Sequence, residues 1–157
     1  CTMKKSFKRK KGPVQSKKTT HDGIKFASGL EKYMYIALKK AKIKAKYEGQ
    51  TFELVSAFDF ELESIERQSN GKGEYKNRGN KKILNIKYTP DFIGKDFIIE
   101  TKGRANESFP IRWKLFKRLL TEKNFITQDP IKWTLYKPQN QKECDETIRL
   151  ILLQQNT

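Results

Sequence analysis

The sequence predicts an α/β protein in which helices flank a central mixed β-sheet, preceded by a disordered basic N-terminal arm. Apolar residues recur at helical, then strand, then again helical spacing, in the order α, several β, α, β, α. The first 20 residues contain eight Lys or Arg and no acidic residue. At 157 residues with 36% hydrophobic content the chain can bury one core, so we place the arm at residues 1–22 and a single domain at residues 23–157.

The first helix is predicted to begin at Ser28, because Ser is a good N-cap and an apolar stripe follows it at helical spacing. Two segments of alternating apolar residues come next and predict strands of a hairpin or mixed sheet. We expect the stripe and the aromatic residues of these segments to lie in the core. The stripe comprises Leu30, Tyr33, Met34, Ala37, Leu38 and Ala41, and the alternating segments contain Phe52, Leu54, Phe58, Phe60 and Leu62.

The second half of the chain is predicted to contain strands at 83–88 and 97–100, a helix at 109–121, a strand at 131–136 and a helix at 144–153. The second helix has one apolar and one basic side, and the basic side can contact either DNA phosphates or solvent. Its apolar side comprises Ile111, Leu115, Phe116, Leu119 and Leu120, and the candidate DNA-binding residues here are Arg104, Arg112, Lys114, Lys117 and Arg118.

The net charge of +16, from 34 Lys and Arg against 18 Asp and Glu, predicts a polyanionic partner whose binding depends on salt. Half of the excess positive charge lies in residues 1–20. Because a block of like charges repels itself, we expect this segment to be disordered by itself. We expect the arm to track DNA; the alternative is a solubilising or nonspecific tail. Its candidate DNA-binding residues are Lys4, Lys5, Lys8, Arg9, Lys10 and Lys11.

Other classes of protein are disfavoured by composition. Two cysteines and one histidine cannot build a closed zinc site without several carboxylates, and they do not make a secreted disulfide framework. A Cys144 nucleophile would need a base, and His21 lies in the predicted arm. No apolar run of transmembrane length is present, so no membrane partner is expected. We expect a reduced, cytoplasmic protein, in the host cytoplasm if the gene belongs to a phage.

The candidate active site combines Asp91, Glu100 and Lys102. The short connection at residues 93–96 can fold the flanking strands into a hairpin that brings Asp91 beside Glu100. Glu100 and Lys102 are two residues apart and share one side of a strand, while Thr101 points away. Two adjacent carboxylates repel each other unless a divalent cation such as Mg²⁺ lies between them. A nearby ammonium stabilises the charge that grows on a phosphate, so the set predicts metal-dependent phosphodiester hydrolysis; the alternative is a surface ion-pair cluster.

The spacing Glu-x-Lys alone is a weak signal, because about one such triplet arises by chance in a chain of this size. The triplet Glu74-Tyr75-Lys76 is a second example in this sequence. It lies in a Gly-rich stretch without a preceding apolar strand or a Pro-Asp partner, so we interpret it as part of a loop. Glu100-Thr101-Lys102, in contrast, follows a strand, precedes Gly103 and has Pro90-Asp91 upstream.

These residues resemble the PD-(D/E)XK nuclease superfamily, and more closely its phage endonuclease I family of Holliday-junction resolvases. The resemblance spans about residues 26–137 and implies a restriction-endonuclease-like core. Between the first helix and Pro90 this chain is longer than the family pattern, with an added Lys- and Gly-rich loop near residues 69–82. Three blocks carry the match: Ser28-Gly29-Leu30-Glu31 at the start of a helix, Tyr88-Thr89-Pro90-Asp91-Phe92, and Glu100-Thr101-Lys102-Gly103.

The resemblance implies a Mg²⁺-dependent endonuclease, with Mn²⁺ as a substitute, that cleaves branched DNA and leaves a 5′-phosphate and a 3′-hydroxyl. By this likeness Glu31, Asp91, Glu100 and the Thr101 carbonyl would be metal ligands, and Lys102 the catalytic lysine. It also implies a homodimer. In a domain-swapped dimer Glu31 would act in the partner's site, with residues 44–51 as the bridge; in the alternative, the longer middle segment lets the chain close on itself.

Two further hypotheses stay open. A different nuclease, either structure-selective or restriction-like, would keep the same chemistry on another DNA substrate. A catalytically idle nucleic-acid-binding or virion protein would keep the fold and the charge, although a binding protein has no use for a repelling carboxylate pair.

Overall fold

The computed structural model describes residues 17–103, 108–128 and 132–156, except for the side chains of Asn124 and Phe125. Arg104 and residues 1–16, the greater part of the predicted arm, lie outside these ranges. The described elements, in chain order, are β1 (Thr19–His21), β2 (Ile24–Phe26), α1 (Gly29–Lys40), β3 (Lys46–Tyr47), β4 (Phe52–Val55), β5 (Phe58–Phe60), β6 (Ile65–Glu66), β7 (Lys76–Asn77), β8 (Lys81–Ile83), β9 (Ile86–Tyr88), β10 (Phe92–Ile93), β11 (Phe97–Ile99), α2 (Phe109–Ile126), β12 (Thr134–Tyr136) and α3 (Gln141–Gln155).

The central sheet has four strands in the order β12-β11-β10-β3. β11 runs parallel to β12, whereas β10 is antiparallel to both β11 and β3. The sheet is therefore mixed, and the predicted α/β fold class is confirmed. β10 and β11 form the predicted hairpin, with Phe92 opposite Ile99.

β11 lies at the centre of the protein, because its three side chains are buried on both faces of the sheet. Phe97 and Ile99 pack with α1 and α3, while Ile98 packs with α2 and β9. Such alternation follows from the pleat of a strand, in which successive side chains point to opposite faces. The result is a layer of α1 and α3, a layer of sheet and a layer of α2.

Helix α1 follows the sequence prediction closely. The Ser28 hydroxyl accepts a hydrogen bond from the Glu31 backbone N–H at 3.2 Å, which is the N-cap contact expected of this residue type. Met34 and Leu38 of the predicted stripe are buried in the core. The prediction for α2 was partly wrong, because Ile111 is 63% exposed and the buried residues are Phe109, Trp113 and Phe116.

The chain is folded before residue 23, where the domain was predicted to begin. β1 and β2 form a hairpin in which His21 is opposite Ile24, so Asp22 and Gly23 are its two turn residues. Both turn residues have positive φ, of 49° and 74°, which is the conformation that Asp-Gly favours in tight hairpins. No helix among the described residues is long and apolar enough to cross a membrane.

Residues 56–84, here called the ribbon, extend the hairpin of β4 and β9 as two antiparallel strands. β5 pairs with β8 and β6 pairs with β7. Part of the predicted loop at 69–82 is therefore strand. The prediction that the aromatic residues of this region lie in the core was partly wrong: Phe58 is 48% exposed, whereas Phe52 is buried.

Replacing Gly94 by Ala should destabilise the protein by about 1–3 kcal/mol, the usual cost of overpacking a core. A Cβ atom there would lie 2.3 Å from two ring carbons of Phe97, which is only 1% exposed. Gly29→Ala is the control, because nothing lies within 4 Å of its Cβ position at the start of α1. Urea unfolding of both variants measures the difference; equal stabilities would contradict the packing of this turn.

Candidate active site

Asp91 and Glu100 lie side by side at the open end of the β10–β11 hairpin. Asp91 directly precedes β10 and Glu100 directly follows β11, so the pairing of Phe92 with Ile99 sets the two carboxylates opposite each other. They are 8% and 6% exposed, respectively. The structure thus brings together the two acidic residues that the sequence pattern paired.

Thr101 holds the Asp91 carboxylate in place. Its backbone N–H and its hydroxyl both donate to Asp91 Oδ2, at 2.8 and 2.6 Å. The prediction that the Thr101 side chain points away from the site is therefore wrong. Within the described part of the chain, Oδ1 of Asp91 accepts no hydrogen bond, which leaves one oxygen available to a ligand.

Tyr88 and the backbone of Asp91 hold the Glu100 carboxylate. The Tyr88 hydroxyl donates to Glu100 Oε2 at 2.8 Å, and the Asp91 N–H donates to the same oxygen at 3.3 Å. No hydrogen bond from a described residue reaches Glu100 Oε1. Each carboxylate is therefore fixed through one oxygen and open at the other.

Burial and mutual repulsion make it costly to ionise both carboxylates. Burial, followed by the charges of Glu100 and Glu31, raises the pKa of Asp91 to about 8. Burial also raises the pKa of Glu100, although the Tyr88 hydrogen bond and the Lys102 charge oppose the rise. In the described part of the chain, neither carboxylate forms an ion pair within 4 Å.

Glu31 lies close to this pair but is tied to its own partners. Its Oε1 accepts from the Ser28 hydroxyl at 3.3 Å, and its Oε2 accepts from the Tyr47 hydroxyl at 2.5 Å. Within the single chain of the structure, β3 pairs with β10 and the Glu48 N–H donates to the Asp91 carbonyl. Residues 44–51 therefore turn back on the domain, as in the alternative to a domain-swapped bridge.

Lys102 borders the carboxylates without forming an ion pair to them. Its backbone N–H donates to the Pro138 carbonyl at 3.0 Å, which continues the alignment of β11 with β12 beyond Glu100. Its ammonium lies 4.7 Å from the centre of the Phe109 ring, and that of Lys137 lies 5.9 Å from the same ring. The ring holds both cations by cation–π attraction and leaves their N–H groups free to meet an anion.

An open cleft of about 610 Å³ gives access to Glu100 and Lys102. Arg112 of α2 reaches this cleft, and its Nη1 donates to the Lys87 carbonyl at 2.6 Å. Such an anchor fixes the guanidinium while its other N–H groups remain available, which suits phosphate binding. The cleft is lined by Thr51, Lys87, Tyr88, Thr89, Glu100, Lys102, Ser108, Phe109 and Arg112.

The other candidate DNA-binding residues of α2 are exposed but differ in their contacts. The Lys117 ammonium lies 5.7 Å from the Trp113 ring centre. Arg118 pairs with Glu122 at 2.8 Å, an exposed contact of the kind that contributes little and can be exchanged for a phosphate. Lys114 is exposed.

A divalent metal fits the donor set of Asp91 and Glu100. In each of them one oxygen accepts no hydrogen bond from a described residue, and hard cations such as Mg²⁺ bind one or two carboxylates together with water and substrate phosphate. Among the described residues, no three His, Cys, Asp or Glu side chains are grouped so that they could hold a metal. The roles of Glu31 and of the Thr101 carbonyl as further ligands, which the resemblance implies, therefore stay predictions.

Residues 11–134 match the profile of a family described as "Protein of unknown function (DUF1064)". The chain belongs to this family. The matched DUF1064 segment contains Glu31, Asp91, Glu100, Lys102 and Arg112, and it ends at the first residue of β12. No curated protein and no solved structure matches the chain.

Three residues of the site in this DUF1064 member received no role from the sequence. Tyr88 and Tyr47 bond to site carboxylates, and burial raises the pKa of both phenols. Tyr88 alternates with Ile86 in a predicted strand and lies in one of the three matching blocks, and this alternation was the available sign that it faces the site. No such sign marks Tyr47 or Lys137.

Cys144 is buried in the α1–α3 core, and burial raises its pKa to about 12. It is therefore structural and not a nucleophile.

We expect the metal-free protein to lose stability as the pH rises from about 4 to about 8. Folded Asp91, with its pKa of about 8, keeps a proton that the unfolded chain releases near pH 4, so each pH step in this window favours unfolding. Asp91→Asn should flatten this dependence and be more stable at pH 8 by more than about 1.4 kcal/mol, the value of one pKa unit.

The measurement is urea unfolding in EDTA at several pH values. Asp59→Asn is the matched control, because it makes the same substitution at an exposed position of the ribbon. A pH dependence that is unchanged in Asp91→Asn would show that this carboxylate is not the one that titrates.

Proposed function

We propose that this protein is a Mg²⁺-dependent DNA endonuclease whose active site is the pair Asp91 and Glu100 with Lys102. The observation that supports it is a buried carboxylate pair to which no described residue forms an ion pair, with one oxygen of each member free of hydrogen bonds from described residues. Burying two acids side by side costs stability, and a metal that binds between them explains why the chain keeps both. The cationic cleft beside the pair then accounts for the phosphate substrate.

In this proposal, water attacks the phosphorus, the bond to the 3′ oxygen breaks, and the products are a 5′-phosphate and a 3′-hydroxyl. A Mg²⁺ bound by Asp91, Glu100 and the Thr101 carbonyl would act as a Lewis acid and lower the pKa of a bound water. Lys102 donates to the oxygen on which negative charge grows, and Arg112 binds a neighbouring phosphate. Tyr88 positions Glu100 through the hydrogen bond from its hydroxyl.

Among DNA substrates we propose branched DNA, and the best candidate is a four-way junction of phage DNA. The net charge of +16 favours a substrate with several duplex arms over one strand. Resolution of a junction requires two cuts, which a homodimer with one site per chain provides. Cleavage of a junction beside linear duplex and single strand of equal length tests this choice and would reveal a restriction-like or other structure-selective preference.

Alanine at Asp91, Glu100 or Lys102 should lower cleavage in Mg²⁺ by at least about 100-fold, the cost of removing one group that stabilises a transition state. DNA binding should remain, because Arg112 in the cleft and the basic residues of α2 are untouched. Product formation on a labelled junction and binding in Ca²⁺ are the two measurements.

Glu74→Ala and Lys76→Ala are the controls for these variants. They alter the other Glu-x-Lys triplet, whose residues are exposed on the ribbon. Retained cleavage in either carboxylate variant would remove Asp91 and Glu100 from the mechanism. An intact protein that binds DNA but never cuts it, with any divalent metal, would favour the idle binding protein.

Glu31 should act within its own chain. If a dimer of Glu31→Ala is allowed to exchange subunits with a dimer of Lys102→Ala, every site keeps one defect, and cleavage should stay at the level of the single variants. The measurement is junction nicking after exchange, with a wild-type and Lys102→Ala mixture to verify exchange. Recovery of nicking would mean that Glu31 completes the partner's site, as in a domain-swapped dimer.

A further inference from the structure

The ribbon carries a row of apolar side chains that the rest of the described chain leaves uncovered: Phe58 is exposed, and Phe60 and Ile83 are half-buried. Phe58 is opposite Ile83 and Phe60 is opposite Lys81, so Phe58, Phe60 and Ile83 share one face. They line a hollow of about 300 Å³ together with Glu66, Arg78 and Lys81. A two-stranded hairpin is marginally stable in water by itself, and such an exposed apolar patch marks a contact surface.

The charge of the ribbon differs from that of the remaining chain. It contains five acidic and six basic residues, so it is nearly neutral while the other segments carry almost the whole excess of +16. Two copies of this protein repel each other over most of their surface, and the ribbon is where that repulsion is weakest. DNA, in contrast, would be repelled by the carboxylates of Asp59, Glu61 and Glu63, which alternate with the apolar residues.

The charged residues around the hollow can form complementary contacts between two copies of the chain. Arg78 is fixed by hydrogen bonds from Nε to the Glu66 carbonyl at 3.2 Å and from Nη2 to the Glu74 carbonyl at 3.1 Å. The hollow therefore offers an acid and two bases around an apolar floor. A contact about a two-fold axis uses the same patch twice, so Glu66 of one copy can face a basic residue of the other.

We propose that the apolar face of the ribbon, formed by Phe58, Phe60 and Ile83 with Glu66, Arg78 and Lys81 around them, is the surface through which two copies of this chain form a dimer. The inference concerns assembly alone and holds whether or not the protein cleaves DNA. β9 leads from the ribbon to Tyr88 in the cleft, so this contact would join two clefts through continuous β-structure.

The test is sedimentation velocity of the full chain in high salt, without DNA or metal, at increasing protein concentration. The wild type should form a dimer. Phe58→Lys should raise the dimer dissociation constant by about 100-fold, because a tenfold loss at an interface anchor occurs twice in a two-fold contact. Asp59→Asn changes the net charge by the same amount on the opposite face and should leave the constant unchanged.

Circular dichroism of each variant verifies folding, and Ser64→Cys in a Cys1→Ser background supplies a second measurement. A short bifunctional maleimide should cross-link this cysteine between copies, because Ser64 also lines the hollow. A monomer at tens of micromolar would overturn the proposal, and so would a dimer that Phe58→Lys does not weaken. Loss of DNA binding in Phe58→Lys with an unaltered dimer would assign the ribbon to DNA and also overturn it.

Discussion

The close approach of two buried carboxylates is the constraint on which the rest of the site depends. Asp91 and Glu100 are forced together by the register of β10 and β11, and no described ion pair neutralises them. The surrounding groups do not remove this repulsion. Thr101, Tyr88 and the Asp91 N–H each donate to one oxygen of a carboxylate. These hydrogen bonds orient the two carboxylates, and their negative charge remains for a ligand to neutralise.

Two tyrosines connect the site to the two cores on either side of the sheet. Tyr88 packs against Phe116 with ring centres 4.8 Å apart and bonds to Glu100. Tyr47 packs against Phe92 at 5.4 Å and bonds to Glu31. Because packed aromatic rings move little, Glu100 and Glu31 are each held in place by a tyrosine that belongs to a different core. The site geometry therefore depends on the layered fold and not on the cleft alone.

Local patterns in the sequence predicted most of the fold and the central part of the site. Ser28 and its stripe gave α1, and the turn at Gly94 with its flanking apolar residues gave the hairpin that pairs Asp91 with Glu100. The failures concern tertiary context. Alternation at Phe58 predicts a half-buried strand equally well whether its apolar face meets a core or not, and the contact between Tyr47 and Glu31 depends on how β3 joins the sheet.

The position of the acidic residues has a consequence for how such a protein changes by mutation. Asp91, Glu100 and Lys102 lie just beyond the ends of β10 and β11, so their replacement leaves the hydrophobic core of the strands intact. Because the acids are buried at a cost, a substitution that removes one charge and keeps its hydrogen bonds, such as Asp to Asn or Glu to Gln, increases stability, and drift alone would favour it. A lineage that retains both acids is under selection for what they do, whereas one that loses them keeps the layered fold without the repelling pair.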